Sequence, residues 1–340
     1  MSFWWLIPAL AGLSFFLTAA LRRYALSRKM LDVPNGRSSH SIPTPRGGGV
    51  AIVLSYLVAL IGVFAGGLIA APLFYALIGA GVLTAVVGFL DDHGHIAARW
   101  RLLAHFAAAG WAVVWLGGLP SISVFGLSVN VRWVGYVFAI IYLVWMLNLY
   151  NFMDGIDGIA GVEAITVCLS GFLLYWVNGT PVEGWSLVTL ACCAAGFLFW
   201  NFPPAKIFMG DAGSGFLGIV LGVLSLQAAW VSPTMFWAWL ILLGVFIVDA
   251  TFTLLRRLIR GDKVYEAHRS HAYQFASRQF GKHLPITLAV GIINVFWLLP
   301  AALCLMFYDL DGATVLAVAY APLIMLAIKF RAGELEHSAA

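Results

Sequence analysis

The sequence predicts an all-α integral membrane protein, a polytopic bundle of about eleven transmembrane helices. Three observations predict it. Of 340 residues 62% are hydrophobic and 10% charged, against roughly 25% charged in a soluble domain. Apolar stretches recur at the length a helix needs to cross about 30 Å of hydrocarbon. The cations are distributed very unevenly along the chain.

The apolar runs lie near 2–21, 50–68, 71–90, 103–120, 133–150, 159–177, 185–201, 213–231, 235–255, 286–307 and 311–330. The first has no basic residue ahead of its apolar core, is followed directly by Arg22 and Arg23, and shows no small-residue cleavage pattern, so it reads as a retained helix. Alternating the runs places 22–49, 91–102, 151–158, 202–212, 256–285 and 331–340 on one face. With the adjoining helix ends that face holds 18 of the 19 Lys and Arg, only Arg132 falling opposite. Positive residues stay inside, which puts these loops in the cytoplasm, the N-terminus outside and the C-terminus cytoplasmic. The whole chain, 1–340, reads as a single transmembrane domain with cytoplasmic catalytic loops. Gly218 and Gly222 form a small-xxx-small pair that invites close approach of another helix.

The four cysteines, Cys168, Cys192, Cys193 and Cys304, sit in apolar segments without CxxC or His spacing, which excludes a disulfide framework or zinc site. The formal charge of +4 is gathered at one membrane face, so it argues for headgroups and not for nucleic acid.

Polar residues at that face form five groups. Asp91 and Asp92 end the third run, where two adjacent acids call for cationic company or a magnesium or phosphate-chemistry role. Asn148, Asn151, Asp154 and Asp157, spaced by glycines, interrupt two apolar helices and suit a turn that gathers oxygen ligands; capping of a helix by Asp157 is the plainer alternative. Asp211, in Phe208-Met-Gly-Asp-Ala-Gly-Ser214, precedes a helix whose free N–H groups attract anions, with Lys206 as the nearby cation. His268-Arg269-Ser270-His271 lies in a basic loop and can hold a diphosphate. The first loop adds Arg37, Ser38, Ser39, His40 and Arg46 before three glycines. Asp249, inside the ninth run, is either functional or the partner of a basic residue. Acids for Mg²⁺ and cations for phosphates, gathered at headgroup level, fit phosphoryl chemistry on a lipid. A transporter of nucleotide sugar or lipid-linked sugar is the rival class, but it calls for polar groups at the bilayer midplane.

Asp91-Asp92, Asn151-Phe-Met-Asp154-Gly-Ile-Asp157-Gly, Phe208-Met-Gly-Asp211-Ala-Gly-Ser214 and His268-Arg-Ser-His271 resemble the motifs of the polyprenyl-phosphate N-acetylhexosamine-1-phosphate transferases (glycosyltransferase family 4), nearest the WecA/WbpL-like branch and related to phospho-MurNAc-pentapeptide translocase. The resemblance implies transfer of a sugar 1-phosphate from a UDP-N-acetylhexosamine to undecaprenyl phosphate at the bacterial inner membrane, with Mg²⁺ as cofactor and UMP as product, starting a lipid-linked glycan such as O-antigen. A homodimer is compatible with it. It implies Asp211 and Asn151 as metal ligands and Asp91 at the acceptor phosphate with Asp92 beside it. It places Asp154 and Asp157 in the nucleotide and metal shell, and His268, Arg269 and His271 at the diphosphate or sugar. Arg99 and Arg101 sit where related sequences carry basic residues near the acceptor, and Arg46 and Lys206 complete the substrate-binding expectation. The chain departs from the family in having His95 where a third acid is common, and His-Arg-Ser-His where a multi-histidine run is common.

Overall fold

A computed structural model describes residues 4–34, 42–94, 96–262 and 268–335. Arg37, Ser38, Ser39, His40, His95 and Lys263 lie outside the described residues. Every predicted apolar run is helical. The first eight are α1 (Leu6–Ser27), α2 (Val50–Ala65), α3 (Ala71–Gly94), α4 (Ala98–Leu116), α5 (Val134–Met153), α6 (Ile159–Val177), α7 (Trp185–Asn201) and α8 (Asp211–Val231). After them come α9 (Pro233–Leu242), α10 (Gly244–Arg260), α11 (Ala272–Phe280), α12 (Leu284–Ile293), α13 (Leu299–Tyr308) and α14 (Gly312–Lys329). Among the described residues strand is confined to two short antiparallel pairs, β1 (Leu31–Asp32) with β2 (Thr44–Pro45) and β3 (Ile122–Val124) with β4 (Leu127–Val129).

Among the described residues eight helical segments are long and apolar enough to cross a membrane, or nine if one bent pair counts as a span. Two predicted runs fall short of that standard for simple reasons: α2 has only 16 residues, and α4 begins with Arg99 and Arg101.

The ninth predicted run is not one helix. It breaks at Leu243, and α9 and α10 meet at 71°. The break falls at Gly244, a poor helix former, and it divides an apolar half from a half bearing Asp249, Arg256, Arg257 and Arg260. The tenth run is likewise interrupted, by a π-helical turn over Asn294–Leu298 that precedes Pro300 near the start of α13. Proline has no N–H for the helical ladder.

The core is organised on α8, whose apolar window is 83% buried against 17% for α1. Its glycines explain this. A Cβ on Gly218 would lie 2.7 Å from the Met146 carbonyl oxygen, and one on Gly222 would lie 2.9 Å from Leu143, so the small-xxx-small pair seats α5 as the sequence suggests. The start of α8 is packed just as tightly. A Cβ on Gly88 of α3 would meet the Ala212 nitrogen at 2.6 Å, and Gly49, ahead of α2, lies so near Gly213 that a Cβ on either would be 2.5–2.6 Å from the other's Cα. The backbones of α2, α3 and α8 therefore converge on one point, beside Asp211.

Candidate active site

The acids that end α3 diverge. Asp92 turns to the start of α8 and accepts hydrogen bonds from the Asp211 N–H at 3.1 Å and the Ala212 N–H at 3.3 Å. These are N–H groups a helix leaves without internal partners, and a carboxylate there also meets the positive end of the helix dipole. Asp91 accepts from the Ile96 N–H at 2.7 Å and pairs closely with Arg101, so both of its oxygens are engaged.

Arg46 is delivered by a short ladder between two loops. Phe208 N–H donates to the Pro45 carbonyl at 2.8 Å, Gly48 N–H to Phe208 at 2.9 Å, and Gly49 N–H to Met209 at 2.8 Å. The guanidinium then bridges two acids, with Nε 3.0 Å from Asp92 and Nη2 2.5 Å from Asp211. Burial opposes its charge, but Asp211 and Asp92 outweigh that effect and hold its pKa above the ordinary guanidinium value. Arg101 Nη1 lies 3.7 Å from the second oxygen of Asp211. Arg46 and Arg101 thus approach Asp211 through different oxygens.

The end of α5 supplies the other wall. Asn151 Oδ1 accepts from Ser214 Oγ at 3.2 Å, tying α5 to the first turn of α8. Asp154, just past the helix, donates its N–H to the Asn151 carbonyl at 3.3 Å, while its carboxylate has no hydrogen bond or ion pair among the described residues. Burial pushes its pKa well up; Arg46 works against that shift, while Asp211, Asp92 and Asp157 add to it. Between α3, α4, α5 and α8 a cavity of about 160 Å³ is lined by Asp91, Arg101, His105, Asn148, Asn151 and Asp211.

The structure brings Asp91, Asp211, Arg46, Arg101, Asn151 and Asp154 together. It places five expected residues otherwise. Asp92 caps α8 instead of facing the cavity as a catalytic acid. Asp157 accepts from the Ala205 N–H at 3.0 Å and has His283 Nδ1 3.2 Å away, so it links the turn after α5 to the loop before α8. Lys206 is exposed, its ammonium 5.5 Å from the ring centroids of Phe199 and Trp200, and Arg99 is exposed beside Trp100. His271 is buried, with Nδ1 3.3 Å from Asp249. Asp249, which the sequence leaves as either functional or the partner of a basic residue, has His271 beside it, and its oxygens accept from the first N–H groups of α11, Ala272 at 2.9 Å and Tyr273 at 3.0 Å.

His268 sits next to this region, 6.3 Å from the Phe152 ring and with Nδ1 3.0 Å from Ser270 Oγ. The Arg269 carbonyl accepts from both terminal nitrogens of Arg278 at 3.2 Å. Burial, with His271 and Arg257 beside it, brings the His268 pKa down to about 3. His268 is therefore a neutral hydrogen-bonding group at working pH, not a cation. Its ¹⁵N imidazole resonances are expected to stay constant between pH 5 and 8; a titration centred near the ordinary histidine value of about 6.5 would contradict this.

His105 was missed. One turn beyond Arg101 in an apolar helix, it carries no motif; its spacing of four from Arg101 was the available signal. Asn148 Nδ2 donates to the Val144 carbonyl at 2.7 Å and also points at His105 Nδ1, 3.4 Å away. A carbonyl can only accept, which fixes the amide; the neutral imidazole then carries its proton on Nε2.

Asp154, Asp211 and Asn151 offer oxygen donors of the kind a hard divalent cation takes, and the Asp154 carboxylate has no ion pair among the described residues. No three acid, His or Cys side chains converge as a ligand cluster among the described residues.

The family model for glycosyl transferase family 4 matches residues 74–229. A probable undecaprenyl-phosphate N-acetylglucosaminyl 1-phosphate transferase of Bacillus subtilis (strain 168) is 32% identical over 263 residues, 76% of this chain and 72% of that protein. The chain belongs to glycosyl transferase family 4. An undecaprenyl-phosphate alpha-N-acetylglucosaminyl 1-phosphate transferase of Thermotoga maritima is 31% identical over 295 residues, 85% of this chain and 87% of the relative. A phospho-N-acetylmuramoyl-pentapeptide-transferase of Chlamydia muridarum is 28% identical over 289 residues, 74% and 83% of the two chains. The family 4 match takes in Asp91, Arg101, Asn151, Asp154 and Asp211. Arg46 lies outside it and enters the family 4 site through the fold, and the 268–271 turn, also outside it, lies beside Phe152 at the end of α5.

Proposed function

We propose that this family 4 protein transfers N-acetylhexosamine 1-phosphate from a UDP-sugar to undecaprenyl phosphate, releasing UMP at the cytoplasmic face of the bacterial inner membrane. The product starts a lipid-linked glycan such as O-antigen. The observation that carries the reading is the Arg46–Asp211–Arg101 bridge at the mouth of the α3, α4, α5 and α8 cavity, where two cations and a group of acids meet at one end of an apolar bundle. The names of the relatives supply the acceptor and sugar classes.

In this mechanism an oxygen of the acceptor phosphate forms a bond to the β-phosphorus of the donor. The bond from that phosphorus to the bridging oxygen breaks, and UMP leaves with the electron pair. Arg101 orients the acceptor phosphate and Arg46 the diphosphate, both from positions fixed by acids. His105 offers its Nε2–H to the cavity. Asp91 has both oxygens occupied by Ile96 and Arg101, which disfavours it as a nucleophile; direct attack is the preferred route over an aspartyl-phosphate. Mg²⁺, held by Asp211, Asn151 and Asp154, would neutralise the diphosphate and the departing UMP.

Purified protein given undecaprenyl phosphate and a panel of UDP-N-acetylhexosamines should release UMP with one of them, and should stop on chelation of Mg²⁺. No release with any member, or release only without acceptor, contradicts the proposal. A burst of one UMP per site from the UDP-sugar alone, without acceptor, would establish the covalent route. The orientation has its own check: a cysteine replacing exposed Lys282 should resist an impermeant reagent added to intact cells and react in inverted vesicles.

A further inference from the structure

The chain after α14 folds back on α10. Arg256 donates through Nη1 to the Ala332 carbonyl at 3.1 Å and pairs through Nη2 with Glu334 at 2.9 Å, while Arg260 Nη1 donates to the Gly333 carbonyl at 2.5 Å. Ala332 is fully buried. Gly333 has φ +76°, and a Cβ there would lie 2.9 Å from Arg256 Cβ and 3.2 Å from the Thr253 carbonyl oxygen, so the approach needs glycine on both counts. These contacts bring the Gly333 N–H to the Ser270 carbonyl, where it donates at 2.7 Å.

Ser270 is inside the 268–271 turn. Among the described residues the turn is also held by Arg278, which donates to the Arg269 carbonyl, by Gln274, whose Oε1 accepts from the His271 N–H at 3.2 Å, and by Asp249 at the start of α11. Gly333 adds a support from a distant part of the chain and acts on the peptide between Ser270 and His271. Ser270 Oγ in turn contacts His268 Nδ1, so the orientation of that peptide and the pose of His268 are connected through one residue.

We infer that segment 332–334 is a positioning element for the 268–271 turn and, through it, for the diphosphate-sugar end of the donor. This rests on the proposed function for its substrate, and on the contacts alone for its structural half. The segment touches no reacting atom; it withholds rotational freedom from the turn that the family resemblance places at the diphosphate or sugar. Its loss should therefore weaken donor binding selectively and leave the acceptor, at the opposite Asp91–Arg101 side, unaffected.

The experiment compares the full chain in detergent with a chain stopped at Phe330, with Gly333→Ala and with Leu335→Ala as the control at an exposed position. Stopping at Phe330 and Gly333→Ala are each expected to raise KM for the UDP-sugar at least fivefold, with KM for undecaprenyl phosphate within twofold of the full chain and Tm little changed. Amide exchange at 270–274 should rise at least tenfold in both, while α8 stays protected. Unchanged donor KM in an active enzyme, or a joint loss of both KM values, kcat and Tm, overturns the inference. If the full chain releases no UMP at all, the proposed function fails instead; the exchange measurement then still decides the positioning role, and unchanged exchange at 270–274 overturns it.

Discussion

Asp211→Asn is expected to reduce turnover by about a thousandfold, near the upper end of the effect of removing one preorganised electrostatic group from an active site, while the protein stays folded. The substitution keeps the shape of the side chain and removes the charge toward which Arg46 and Arg101 converge from opposite oxygens, at 2.5 and 3.7 Å. Stability should suffer little, since the first N–H groups of α8 are capped by Asp92 and not by Asp211 itself. Initial rates of UMP release together with Tm in detergent check both halves. Normal turnover would remove Asp211 from the reaction, and parallel collapse of Tm would make its role structural.

A second large effect is expected at Asp249, for a different reason. Its two oxygens accept separately from the N–H groups of Ala272 and Tyr273, and Thr253 Oγ1 adds a third contact at 3.2 Å. Asp249→Ala leaves buried donors unsatisfied at a cost of about 2–4 kcal/mol, and it releases α11 together with the 268–271 turn. Asp249→Asn is no gentle substitute, because its NH₂ would face an N–H donor where an oxygen is required. Both variants should lower Tm and activity together, Ala the more. A variant with native Tm and no activity would restore a direct chemical role to this carboxylate.

The apolar rhythm of the chain made the helices legible, since each of the eleven runs is helical and Gly218 and Gly222 meet α5 as their spacing suggests. The break at Gly244 was not read, although charge accumulates on its far side; a hydropathy pattern averages over a glycine. Within the site, Asp91, Arg46 and Asp211 stood out as polar residues gathered at one face and Arg101 through the family resemblance, and the structure pairs them through their side chains. Asp92, Asp157 and Asp249 were given chemical or salt-bridge roles because acids at a membrane surface invite them. Their main partners are backbone N–H groups, which every residue carries and no motif announces. Asp92 finds its own 119 residues away. Lys206 and Arg99 failed for the converse reason: proximity in sequence to a site residue does not determine on which side of a loop or helix a long side chain lies, and both rest on aromatic rings at the surface.

The contact between Gly49 and Gly213 limits how the protein can vary. Where two helices meet through side chains, one can grow while its partner shrinks, and the spacing survives the exchange. Here a Cβ on either residue would fall 2.5–2.6 Å from the other's backbone, and neither partner has an atom to give up in return. A change at one position therefore has no compensating change at the other. It must be absorbed by separating the segment that bears Arg46 from the helix that begins at Asp211, the pair whose 2.5 Å approach defines the centre. Pairwise covariation, the usual trace of a helix interface, is closed to this one.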